Sequence, residues 1–200
     1  YESVRVTSLQ EGLRDEIPFN QRLMPVVLLF MVGVLGLFAM VSLLGQERGD
    51  QTIRAFRVSP AGLWEFLGSK HLTVLFTGIC TFSILYIPMM GLDGYLPSLL
   101  IIVLTIVVGS ALGTLLGAFF TDPMAAIGYV LIVMMLLGLP AVSLLAPVFS
   151  SPWLKIIPSY YTLFGLDSVM FPEGSAQVFR QAVAALAGYA VVLYLLAGLV

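Results

Sequence analysis

Apolar and polar positions fall in long blocks along this chain rather than at a short period. Five apolar runs lie at about residues 23–45, 67–89, 96–120, 124–148 and 176–200. Each is long enough to cross a hydrocarbon layer about 30 Å thick, which takes roughly 20 helical residues. Their continuity predicts α-helices, because barrel strands would alternate over about ten residues. The polar segments between them differ in character. Residues 1–21 carry Glu11, Arg14, Asp15 and Glu16 and close at Pro18. Residues 46–66 hold the densest charge: Glu47, Arg48, Asp50, Arg54, Arg57 and Glu65. Residues 90–95 form a short turn with Gly91, Asp93 and Gly94. Thr121, Asp122 and Pro123 make a tighter one, with Pro123 suited to the first position of the next helix. Residues 149–175 are too long for a turn and too broken for a span, since Pro152, Pro158 and Pro172 interrupt them. One or two short helices lying in or dipping into the membrane interface are expected there.

Composition narrows the class. Of 200 residues, 60% are hydrophobic and 10% charged, and the mean hydropathy is +1.04. Soluble domains run roughly 45–50% apolar and about 25% charged. A water-soluble enzyme, a disordered chain and a disulfide scaffold are thereby excluded, which leaves an all-α, polytopic membrane protein. The net charge of −2 comes with no basic stripe interleaved with aromatics, so nothing points to nucleic acid. The single cysteine, Cys80, can form no intramolecular disulfide. The chain starts at Tyr1 and stops inside an apolar run, and reads as a piece of a longer protein.

Aromatic residues gather near the ends of the runs, at Trp64, Tyr86, Tyr95, Phe119, Phe120, Trp153, Tyr160 and Tyr161, as an interfacial belt would. Charge leaves the orientation open. Arg48, Arg54, Arg57 and Lys70 form the most concentrated basic patch, but Arg5, Arg14, Arg22, Lys155 and Arg180 balance it on the other side.

Candidate chemistry is sparse. The spans hold almost no ionisable residues, whereas ion-coupled carriers keep such groups at mid-membrane. His71 and Cys80 are separated by about 13 Å along a helix, so they form no nucleophile–base pair. Ligands for a metal are lacking too. His71 is expected to face lipid headgroups or a neighbouring backbone carbonyl. The stretch from Gly62 to Lys70 superficially matches a phosphate-binding loop, but its spacing is one residue too long and Ser69 precedes Lys70. Gly109, Gly113 and Gly117 share one helix face and permit close helix approach. They would serve packing within the chain, a seam with a second copy, or the lining of a path.

The charged segment carries the most information. Ser59 can cap, and Pro60 can open, a helix that runs through Trp64 and Lys70 into the second span. Just before it, residues 52–58 would form a short amphipathic helix capped by Thr52. Ile53 and Phe56 share one face there, with Arg54 and Arg57 offset. Such a helix either lies on headgroups or docks a cytoplasmic protein.

Read in order, Glu47-Arg48-Gly49-Asp50-Gln51-Thr52-Ile53, Arg57-Val58-Ser59-Pro60, Trp64-Glu65 and Lys70 resemble the permease subunits of type-2 ABC exporters. In that family an acidic–basic pair follows the second helix, then a Gly-Thr-apolar step, a Ser/Thr-Pro and a lysine that opens the third helix. Gln51 stands where the family usually has glycine. Ile157-Pro158, Tyr160-Tyr161, Leu166 and Gly174 are similar to the family's proline-led, partly re-entrant helical pair. The resemblance covers nearly the whole chain.

It implies that the five spans are helices two to six of a six-helix permease occupying residues 22–200, with residues 1–21 an extracytoplasmic lead-in and the first helix preceding Tyr1. The 46–66 loop would be cytoplasmic, and 52–58 would be the coupling helix. Glu47, Arg48, Thr52, Ile53, Phe56 and Arg57 would then join an ABC ATPase subunit. Two permease chains, identical or different, would pair in a bacterial or archaeal plasma membrane. ATP and Mg would be bound by the ATPase, leaving this chain without a cofactor or a catalytic role. An apolar or amphipathic cargo, drug or lipid-like, would be exported between the permeases. The alternatives are an ATPase-independent carrier and a scaffold that anchors a cytoplasmic partner. A membrane-embedded enzyme would need paired reactive side chains at one depth, and none is present.

Overall fold

The computed structural model describes residues 18–49, 63–120, 123–145, 151–171 and 174–199. Among these residues there is no strand. Two short helices, α1 (Phe19–Arg22) and α2 (Met24–Leu28), lead into a π-helical turn (Leu29–Val34) and then α3 (Leu35–Gly49). Next come α4 (Leu63–Met90), α5 (Tyr95–Phe119) and α6 (Pro123–Leu145). A 3-10 helix (Pro152–Ile156), α7 (Pro158–Met170) and α8 (Ala176–Leu199) complete the order. Among the described residues, five helical spans are long and apolar enough to cross a membrane, the number that the apolar runs predict: Met24–Gln46, Glu65–Met90, Tyr95–Phe119, Ala126–Leu145 and Ala176–Gly198.

Successive spans run in opposite directions, so α3 ends and α4 begins at one end of the bundle, here called the charged-loop end. The turn between α4 and α5 lies at the opposite end. That turn needs glycine, because Gly91 and Gly94 have φ of 73° and 64°, a region L side chains rarely adopt. Tyr86 braces it, donating its hydroxyl to the Asp93 carbonyl at 2.7 Å. Tyr86 is fully buried. The interfacial-belt position expected for this ring is therefore replaced by a structural one, since its hydroxyl finds a backbone partner inside the bundle.

Helix α5 stands at the centre, with Ile101, Ile102 and Ile106 sealed from the surroundings. It packs against the first span, α4, α7 and α8. The outer helices turn large apolar side chains outward: Phe76 and Ile84 on α4, Ile132 and Met135 on α6, Val191 and Leu195 on α8. In water such a surface would aggregate. In lipid it is the ordinary exterior of a helical bundle.

The proline-interrupted stretch holds the 3-10 helix and α7. Thirteen residues give α7 a length of about 20 Å, too short to cross a bilayer. It nevertheless buries Leu163 and Leu166 completely. It lies so near α8 that a Cβ on Gly165 would come within 2.7 Å of the Ala182 Cβ. Tyr189 on α8 ties the 3-10 helix down through a 2.6 Å hydrogen bond to the Ile156 carbonyl.

Candidate functional site

The glycine face of α5 lies against the first span. A Cβ on Gly109 would stand 2.6 Å from the Gly33 carbonyl oxygen, and one on Gly113 2.7 Å from the Leu37 carbonyl oxygen. A Cβ on Gly117 would come within 3.0 Å of Leu44 Cδ1. At Gly109 and Gly113 backbone meets backbone, so only a hydrogen fits at those two steps. Gly33 belongs to the π-helical turn, and a Cβ there would stand 2.8 Å from Thr105 Cγ2. The widened turn and the narrow face of α5 therefore fit each other. Turns of this kind are rare and are frequent at functional sites.

Thr105 begins the same small-residue face, four positions before Gly109. Its hydroxyl donates to the Ile101 carbonyl at 2.8 Å and accepts from Thr162 on α7 at 2.9 Å. The Thr105 spacing could have disclosed this position from the sequence; no local signal marks Thr162. Beside the pair, Ser159 is buried with its Oγ unpartnered by any described group. Ser159, Thr105, Thr162 and Gly33 line a small interior cavity of about 20 Å³. Mid-bundle polarity thus resides in hydroxyls rather than charges.

At the charged-loop end, Glu47 and Arg48 lie in the last turn of α3. Thr52, Ile53, Phe56 and Arg57 lie outside the described residues, so the coupling helix expected at 52–58 does as well. Around that segment the two spans are locked together. Phe66, near the start of α4, is buried with Met40 and Leu44 of α3. Lys70 Nζ stands over the Phe66 ring, 5.5 Å from its centroid, a cation–π arrangement.

His71 departs from expectation. In place of the backbone carbonyl it takes a side-chain partner, lying edge-on to Tyr194 of α8 with ring centroids 5.1 Å apart. Its Nδ1 is 3.2 Å from the Tyr194 hydroxyl, and that hydroxyl is 3.4 Å from Ser110 Oγ on α5. A polar chain thus joins α4, α8 and α5 one layer inside the charged-loop end. Buried polar groups seek partners, and across helices the partner is a side chain.

At the opposite end, α1, the end of α6, the 3-10 helix and α7 line a half-open cleft of about 560 Å³. No group of three His, Cys, Asp or Glu able to hold a metal occurs among the described residues.

A family model described as ABC-2 family transporter protein matches residues 4–199. No curated protein and no solved structure matches the chain.

Proposed function

The chain belongs to the ABC-2 family of transporter proteins, and from that premise we propose that it works as half of the membrane pathway of an ATP-driven exporter. It is a membrane permease subunit of an ABC transporter, a transport subunit and not a catalytic one. The observation that carries the reading is the extent of the family match, which takes in the charged 46–66 segment and all five spanning helices.

In this reading the charged-loop end is cytoplasmic, and a separate ATPase chain binds and hydrolyses ATP there with Mg. Residues 52–58 form the coupling helix, with Ile53 and Phe56 as apolar anchors in a groove of the ATPase and Arg57 pairing at its rim. Glu47 and Arg48 brace the joint at the end of α3. Closure of the ATPase pair moves the coupling helix, and the Phe66 contact with Met40 and Leu44 makes α3 and α4 move together. The glycine seam passes that motion to α5, and the π-helical turn at Leu29–Val34 gives the first span its place to bend. A second permease chain completes the pathway. An apolar or amphipathic cargo suits a lumen built from helices with so few charges.

Mass spectrometry of what co-purifies with the tagged full-length protein in mild detergent tests this reading, beside a Phe56→Asp variant. The expected result is a chain with a phosphate-binding loop that accompanies the wild type and is lost from the variant. Transport by the reconstituted chain without any ATPase would favour the carrier instead. Retention of the ATPase by Phe56→Asp would remove residues 52–58 from the interface.

A further inference from the structure

Serine hydroxyls inside a helix commonly return to their own backbone. Ser69, Ser83, Ser110 and Ser168 each donate to a carbonyl three or four positions back, at 2.8–3.0 Å. Ser159 does not. It is the second residue of α7, so no turn of that helix precedes it. The carbonyl three positions back, that of Ile156, already accepts from the Tyr189 hydroxyl. Ser159 is 3% exposed, and its Oγ has no hydrogen-bond partner among the described groups. A buried hydroxyl without a partner carries its full desolvation cost, and an ordered water commonly removes it.

Ser159 lines the cavity of about 20 Å³ where the first span, α5, α6, α7 and α8 meet. One water requires roughly 10–15 Å³, so the cavity has room for one and for nothing much larger. Thr162, one turn along the same face of α7, and Thr105 line it too. The Thr105 hydroxyl donates to the Ile101 carbonyl, and Thr162 donates to Thr105. That leaves the lone pairs of Thr162 Oγ1 able to accept. A donor in need of an acceptor and an acceptor in need of a donor thus stand one helical turn apart. Val108 and Leu186 contribute apolar wall, so the hydroxyls mark the corner where a polar ligand is held. The start of α7 also brings the positive end of a helix dipole inside the bundle, which favours an oxygen lone pair there.

We propose that this cavity binds a single water molecule that joins Ser159 to Thr162. The Ser159 hydroxyl donates to the water oxygen, and the water donates to Thr162 Oγ1. Each member of the line then donates to the next: Ser159 to water, water to Thr162, Thr162 to Thr105, and Thr105 to the Ile101 carbonyl. Such chains polarise and strengthen one another in a low dielectric. Gly33 of the π-helical turn lines the same cavity. The water therefore ties the start of α7 to α5 beside that turn, through a partner that can exchange. The site does not depend on the exporter reading, because it is read on the folded chain without an ATPase.

A density map of the purified full-length protein, at a resolution that shows ordered water, tests the proposal. One peak is expected within about 2.5–3.0 Å of both Ser159 Oγ and Thr162 Oγ1. Ser159→Ala is expected to lose that peak and to keep the Thr162–Thr105 contact. Its thermal midpoint is expected to fall by about 2–4 °C, the shift that one net hydrogen bond gives a chain of this length. Removing a hydroxyl that is merely unpaired would instead relieve its desolvation cost and raise the midpoint. Ser168→Ala is the control on the same helix and leaves the peak in place, because Ser168 donates to the Gly165 carbonyl. A wild-type map with no peak between the two hydroxyls, or with Ser159 Oγ bonded directly to a protein group, would overturn the proposal. So would an unchanged or raised midpoint in Ser159→Ala, or loss of the peak in Ser168→Ala. The wild-type map alone decides the matter if Ser159→Ala does not fold.

Discussion

Gly109 and Gly128 are both glycines inside spanning helices, yet their surroundings differ. A Cβ at Gly109 meets a carbonyl oxygen of the π-helical turn at 2.6 Å, whereas one at Gly128 meets nothing within 4 Å. Gly109→Ala is therefore expected to destabilise the bundle by about 1–3 kcal/mol, the usual range for overpacking against atoms that cannot swing away. Gly128→Ala should be neutral or slightly stabilising, through helix propensity. Thermal unfolding of the two variants in one detergent reads the difference, and equal midpoints would contradict the seam. Tyr160 gives a second prediction at this scale. A neutral phenol whose folded-state pKa is raised contributes stability that is fully present below the ordinary value of 10.0 and is lost as pH rises through the raised value. The ultraviolet difference between wild type and Tyr160→Phe should therefore show no tyrosinate from this residue at neutral pH, with its ionisation midpoint above 10.0. Residue by residue, the glycine face was legible because a spacing of four is a local property of one helix. Thr105, on the same face, went unread, although the same spacing could have disclosed it. Thr162 and Ser159 were not, since what makes them polar features of the core is the helix across from them.

Elements differ in how they are held. Helix α8 turns much of its surface outward, and its Tyr194 links it to His71 of α4 and Ser110 of α5. Replacing His71 by Phe, Tyr194 by Phe, and both together forms a double-mutant cycle. The coupling is expected at about 0.6 kcal/mol, the average for such bonds between membrane helices. A coupling of zero would make the contact incidental. The sequence placed His71 near the start of a span but assigned it to headgroups or a backbone carbonyl, because no local pattern names a partner 123 positions away. The π-helical turn was equally hidden. Leu29–Val34 reads as uninterrupted apolar helix, and the turn fits a glycine face on another helix. Helix α7 was better signposted: Pro152 and Pro158 break the chain on either side of the 3-10 helix, and both open the helices that follow them.

The whole molecule takes lipid as its solvent. Met135, midway along α6, is 77% exposed within an apolar surface. Met135→Lys should raise the cost of inserting that helix by about 2.5–3.5 kcal/mol, measured as the membrane-integrated fraction. A change to Leu at the same position should leave that fraction unaltered. Hydropathy is a sum over neighbouring residues, so the sequence by itself determined a helical bundle, with five spans among the described residues long and apolar enough to cross a membrane. It also determined where glycine and proline punctuate them. Motif order in the charged segment then pointed to the ABC-2 permease family, to which the chain belongs. Only the tertiary structure decided that α5 is the central helix, that its glycine face meets the first span, and that Arg22 and Lys155 line one cleft. The reason is physical. In a membrane the lipid-facing and protein-facing sides of a helix are about equally apolar, so hydropathy no longer tells them apart. Close packing and the pairing of polar groups then select each helix's neighbour, and both depend on residues far apart in the chain.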